Sequence, residues 1–127
     1  MVPYIAVTEG IRITVRPVYL DNRSNFMERD FVFAYFIRID NDTEEEVQLL
    51  RRRWVITDGH GRVQEVEGPG VIGEQPIIGP DGFHEYQSYC RIPTFEGTMA
   101  GTYLMQRENG ARFRVTIPLF HLRAAAN

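Results

Sequence analysis

Residues Glu65 to Pro76 read EVEGPGVIGEQP, and Pro80 follows closely. Gly68, Gly70 and Gly73 stand in the order G-x-G-x-x-G. How that spacing is read decides between two folds. A dinucleotide-binding fingerprint must follow a strand and open a helix whose N-terminus holds the pyrophosphate. A strand does precede the glycines here. Beyond them comes Glu74-Gln-Pro-Ile-Ile-Gly-Pro80, where two prolines and a glycine exclude a helix. No acidic residue stands about 20 positions on at the end of a second parallel strand, and Gly-Lys-Ser/Thr is absent. The doubly wound α/β reading fails, and a turn within an all-β chain replaces it.

Working outward, alternation with period two dominates. Ile11, Ile13 and Val15 alternate with Arg12, Thr14 and Arg16. Pro17 lacks a backbone donor, which places an edge or a bulge there. Phe31 to Ile39 is apolar on both faces at its start, as a central strand requires. A polar turn, Asn41 to Glu46, leads into a strand from Val47 to Asp58. Alternation sets Leu50, Arg52, Trp54 and Ile56 on one of its faces, with Leu49, Arg51, Arg53, Val55 and Thr57 on the other. Asp58-Gly-His-Gly61 is a hairpin turn into a short strand, Arg62 to Glu67. The glycine segment then belongs to a long loop. Phe83 to Ile92 alternates again. Thr98 to Arg107 and Arg112 to Phe120 form a hairpin about Glu108-Asn-Gly110. That hairpin directs Met99, Tyr103, Met105, Phe113, Val115 and Ile117 to the core. Arg123 to Asn127 reads as a frayed tail. Seven or so short strands separated by turns define an antiparallel sandwich or barrel.

One domain of 127 residues is long enough to bury a core without staples. Eight Phe, six Tyr and one Trp supply its large groups. The net charge of −3 gives no general pull toward nucleic acid. The lone Cys90 forms no internal disulfide, so nothing points to an oxidising compartment. MVPYIAVTEG lacks a basic region and a long apolar run, and no segment approaches the roughly 18 apolar residues of a membrane span. The expectation is a cytoplasmic protein without membrane insertion.

Candidate sites are few. Gly68, Gly70 and Gly73 retain one binding role, an amide nest for the phosphate of a nucleotide or pyrophosphate. Glu65, Glu67 and Glu74 flank it with the wrong sign, and the structural reading of the turn outweighs it. In Arg51-Arg-Arg53, Arg51 and Arg53 share a face and form a candidate contact for a protein partner. Asp40, Asp42 and Glu44 have the spacing of the first calcium-loop ligands. Glu45 and Arg51 occupy the positions of the required glycine and bidentate acid, so a solvated hairpin is expected and no metal ligand is assigned. His60, His84 and His121 share no ligand spacing. Ser88 and Cys90 lie mid-strand with no glycine elbow or nearby base, and no catalytic residue is assigned. No cofactor is implied. An exposed edge offers strand addition to a partner or to a second copy as a homodimer.

The blocks Phe33-Ala-Tyr-Phe-Ile-Arg-Ile-Asp-Asn41, Leu49 to Asp58, Gly61-Arg-Val63 and Val66 to Pro76 occur in an order that resembles the ApaG family. So do Tyr86-Gln-Ser88, Cys90 and Gly97-Thr-Met-Ala-Gly-Thr-Tyr103. The resemblance spans about residues 10 to 121. Three departures fall between residues 80 and 90. Pro80-Asp81-Gly82 stands for the family's usual Pro-Gly-Glu, His84 for an aromatic, and Tyr89 for a common glycine. The resemblance implies an immunoglobulin- or fibronectin-type-III-like antiparallel β-sandwich. It also implies a link to cobalt resistance and magnesium efflux, and a protein-binding role for the eukaryotic domains. It supplies no catalytic residues. The function expected is therefore that of a non-enzymatic interaction or ligand-binding module, with nucleotide binding at Gly68–Gly73 as the alternative.

Overall fold

The computed structural model describes residues 2–125. Nine strands build two antiparallel sheets. The first contains β1 (Tyr4–Thr8), β2 (Ile11–Tyr19), β3 (Phe31–Asn41) and β7 (Phe83–Ile92), in the order β1-β2-β3-β7. The second contains β4 (Val47–Asp58), β5 (Val63–Pro69), β8 (Glu96–Arg107) and β9 (Arg112–Arg123), in the order β5-β4-β8-β9. The short β6 (Ile77–Ile78) also pairs with β4. The arrangement is the expected immunoglobulin/fibronectin-type-III-like β-sandwich. No described helix is long and apolar enough to cross a membrane.

Strand alternation explains the core. Ile11, Ile13 and Val15 of β2 are buried, as are Phe33, Tyr35, Ile37 and Ile39 of β3. They face Leu49, Trp54, Met99, Tyr103, Met105, Val115 and Ile117 from the other sheet. At the centre Trp54 meets Tyr35 edge-on at 5.3 Å and Phe120 at 6.0 Å, a geometry that the ring quadrupoles favour. Pro17 lies past the end of β1 and opposite Tyr35, so its missing donor faces no neighbour there. Gly61 and Gly110 hold positive φ in the two hairpins that the sequence marks.

Three expectations change. β4 carries a bulge between Leu49 and Arg51, so the core side reads Val47, Leu49, then Arg52 and Trp54. The expected grouping of Leu50 with Trp54 therefore fails: one extra residue reverses the phase of alternation. The tail does not fray at Arg123. Arg123 pairs with Glu96, and Ala124 is buried with its N–H donated to Phe95 O. Residues 126 and 127 of that expected tail lie outside the described residues. The acidic turn is not simply solvated either. Asp40 is 8% exposed and pairs with Arg12 and Arg38, while Asp42 pairs with Arg12.

Candidate functional site

The glycine segment leaves β5 and turns back along β4. Gly70 has φ +61, and its N–H donates to Leu50 O at 2.8 Å. A Cβ at Gly70 would lie 2.0 Å from the Glu74 carbonyl oxygen, so no side chain fits. Val71 and Glu74 exchange N–H···O bonds across a two-residue turn in which Ile72 and Gly73 hold φ +47 and +74. Positive φ at both central positions is the geometry of a type I′ turn.

These bonds bear directly on the phosphate nest. The amides of Gly70, Val71 and Glu74 are donated within the chain. Gly68 and Gly70 are buried, and Gly73 alone of the three is exposed. The loop instead presents acceptors: Arg52 Nη1 donates to Pro69 O and to Gly70 O, each at 3.0 Å. A bare Gly68 makes room for this, since its Cβ would sit 3.1 Å from that guanidinium nitrogen. The three glycines therefore wind a loop around an arginine. They do not converge on an anion.

The arginine run divides as alternation requires. Arg52 points between the sheets, and Arg51 and Arg53 lie on the outer face of β4. The two outer arginines differ. Arg53 is held by Glu65 at 2.6 Å and by Glu67 at 3.3 Å. Arg51 is exposed, and no described carboxylate pairs with it. Register sets Arg51 opposite Leu104 and Leu104 opposite Arg114, a row across β4, β8 and β9. Arg114 is likewise exposed and without an ion pair among the described residues. These side chains border a shallow groove of about 140 Å³. Sequence reasoning missed Arg114 and Leu104. Alternation turns them outward, but only the pairing of distant strands sets them beside Arg51.

The other candidates stay apart. His84 approaches Glu74 at 4.0 Å, His121 packs against Tyr4, and His60 lies in the β4–β5 turn. Among the described residues no group of three His, Cys, Asp or Glu is placed to hold a metal. Cys90 is buried, and burial pushes its thiol up to about 11. Ser88 stands in register with Tyr35 on the neighbouring strand.

The fold and its sites define a small two-sheet β-sandwich with a glycine-wound loop clasped to β4 and an arginine row on one outer face. The ApaG domain family profile matches residues 21–107. The Protein ApaG of Paramagnetospirillum magneticum is 51% identical over 119 residues, covering 94% of this chain and 92% of that protein. The Protein ApaG of Rhodospirillum centenum matches to the same extent. A crystal structure described as an ApaA protein from Bordetella pertussis superposes with a TM-score of 0.87 at 44% identity, covering 89% of this chain and 92% of that one. The chain belongs to the ApaG domain family.

Proposed function

We propose that this ApaG-domain chain is a non-enzymatic, cytoplasmic interaction module that binds an acidic segment of a protein partner on the outer face of its five-stranded sheet. The observation that carries the reading is the row Arg51–Leu104–Arg114, in which two exposed guanidinium groups without ion pairs flank an apolar side chain. The adjacent Arg53 is neutralised by Glu65 and Glu67, so it frames the patch and offers little free charge. Exposed charges of this kind add about 0–1 kcal/mol each. Their larger effect is on encounter rate and partner choice.

The surroundings of Cys90 and Ser88 support the non-enzymatic part of this reading. A thiol held near 11 supplies almost no thiolate at neutral pH, and Ser88 stands in register with Tyr35, with no histidine or carboxylate bonded to its hydroxyl among the described residues. The link to cobalt resistance and magnesium efflux that the family resemblance implies then runs through the partner.

Quantitative affinity capture tests the reading. The wild-type chain and the Arg53→Glu variant should recover one common protein, and the Arg51→Glu/Arg114→Glu double variant should lose most of it. Recovery should also fall with added salt. Equal recovery of every protein by the double variant would remove the proposal.

A further inference from the structure

Between the sheets, on the inner side of β4, lies a cleft of about 340 Å³. Arg52 and Trp54 form one wall, Tyr35, Tyr86 and Ser88 the other, and the Val71–Gly73 turn borders it. That volume is at the small end of the range for small-molecule sites. We propose that this cleft binds a small organic oxyanion, a carboxylate or phosphate monoester on an aromatic or apolar body, with Arg52 as the charge partner.

Three independent features support this assignment. The first is an uncompensated cation. Arg52 is only partly exposed, and no described carboxylate pairs with it. One of its nitrogens is committed to the Pro69 and Gly70 carbonyls. A guanidinium carries five N–H donors in a planar fork, so the remainder are free to meet an oxyanion.

The second is a convergence of neutral hydroxyl groups. The hydroxyl-bearing side chains of Tyr35, Tyr86 and Ser88 line the cleft, and Tyr86 shares a hydrogen bond with Tyr103 across the sheets. Burial raises Tyr35 and Tyr86, the two phenols that line the cleft, above their ordinary range, so both stay protonated and neutral beside the arginine. The walls between these groups are rings and apolar side chains, which suit a ligand with an apolar body.

The third is strain at the rim. Ile72 is 60% exposed yet holds φ +47, a conformation that β-branched residues resist. Its exposure shows that core burial does not hold it there. Its place is the border of the cleft, where an apolar side chain can close over a ligand. Strain of this kind concentrates at binding sites.

Trp54 is the chain's one tryptophan and lies in the cleft wall, so intrinsic fluorescence reports on this site. Benzoate and phenyl phosphate serve as probes, benzamide as the neutral analogue, and inorganic phosphate as an anion without the apolar body. We expect a saturable change with benzoate or phenyl phosphate, and affinity about tenfold weaker for benzamide, since a charge-assisted bond to arginine is lost. Inorganic phosphate should bind more weakly than phenyl phosphate. Ser88→Ala should weaken anion binding several-fold, and Arg52→Gln should abolish it. Amide shifts on titration should centre on Ser88 and Gly73, not on Leu104. Three results would each overturn the proposal: no saturable response to either organic anion, benzamide binding as tightly as benzoate, or shifts confined to the outer face. Should Arg52→Gln fail to fold, unchanged anion affinity in Ser88→Ala has the same force. Loss of this site would leave the outer-face proposal standing, because that one is read by Arg51 and Arg114.

Discussion

Ile72 is the residue at which chemistry and conformation disagree most. It holds φ +47 at the first central position of a type I′ turn, where asparagine followed by glycine is the favoured pair. Gly73 already satisfies the second position with φ +74. A left-handed backbone costs an ordinary L-residue about 1–2 kcal/mol, and asparagine relieves part of that through local hydrogen bonding. Because Ile72 is exposed, its replacement forfeits little burial. Ile72→Asn should therefore raise unfolding stability by about 1 kcal/mol, measured as a shift in denaturant midpoint at constant slope. An unchanged or lower midpoint would mean that the isoleucine makes contacts worth more than its strain. The sequence shows this residue's place in a turn, since glycines and prolines surround it. It does not show the strain, because a glycine-rich loop can be wound with several signs of φ. The same limit applies to Gly70. Its need for a bare Cα is legible, but the partner of its amide is Leu50, a residue of another strand.

At the scale of elements, most strands of the sheets were legible from alternation, but β1 was not read and β6 fell within the expected long loop. β4 and β7 occupy the spans that the pattern marks, Val47–Asp58 and Phe83–Ile92. Bulges were not legible, because an inserted residue leaves no compositional trace. In β4 the insertion turns Leu49 inward, and in β9 the shift past Ile117 brings Phe120 and Leu122 into the core. Asn41 shows another kind of hidden signal. It reads as the first residue of a polar turn, yet it is fully buried. Its Nδ2 donates to Glu45 O at 2.8 Å, Ile78 O at 3.0 Å and Gly79 O at 3.2 Å. Its Oδ1 accepts from Thr43 N–H and Oγ1–H. One amide thus ties the end of β3 to the β3–β4 turn and to the β6–β7 connection. Asn41→Asp keeps the shape but sets an acceptor against three carbonyl oxygens. It should cost about 3 kcal/mol, since each buried group left unpaired costs roughly 1–3, with a melting shift on the order of 10 °C. A loss under about 1 kcal/mol would show that the carbonyls find water instead.

For the whole molecule, the sandwich encloses several weak acids whose charged forms it resists. Cys90 on β7 is pushed from 9.0 up to about 11 by burial, against a smaller favourable bond from the Arg91 backbone. Tyr35, Tyr86 and Tyr103, drawn from both sheets, are likewise raised by burial. Each group holds its proton more tightly in the folded chain than in the unfolded one. The folded state therefore binds more protons at alkaline pH, and stability falls as pH rises. For Cys90 the contribution is complete below about 9 and is lost between about 9 and 11. A shift of two units corresponds to about 3 kcal/mol. The tyrosine contribution is lost above 10, their ordinary value. Denaturant midpoints measured from pH 8 to 11 should decline in two overlapping stages. Cys90→Ala should flatten the stage that begins near pH 9 and leave the later one in place. Direct access to the thiol supplies the independent check. At pH 8.5 an aromatic disulfide reagent should label the native chain at least tenfold more slowly than the unfolded chain, because both burial and the scarcity of thiolate oppose attack. Equal labelling rates, or a midpoint that stays level to pH 11, would show that the sheets open near β7 far more readily than their packing requires.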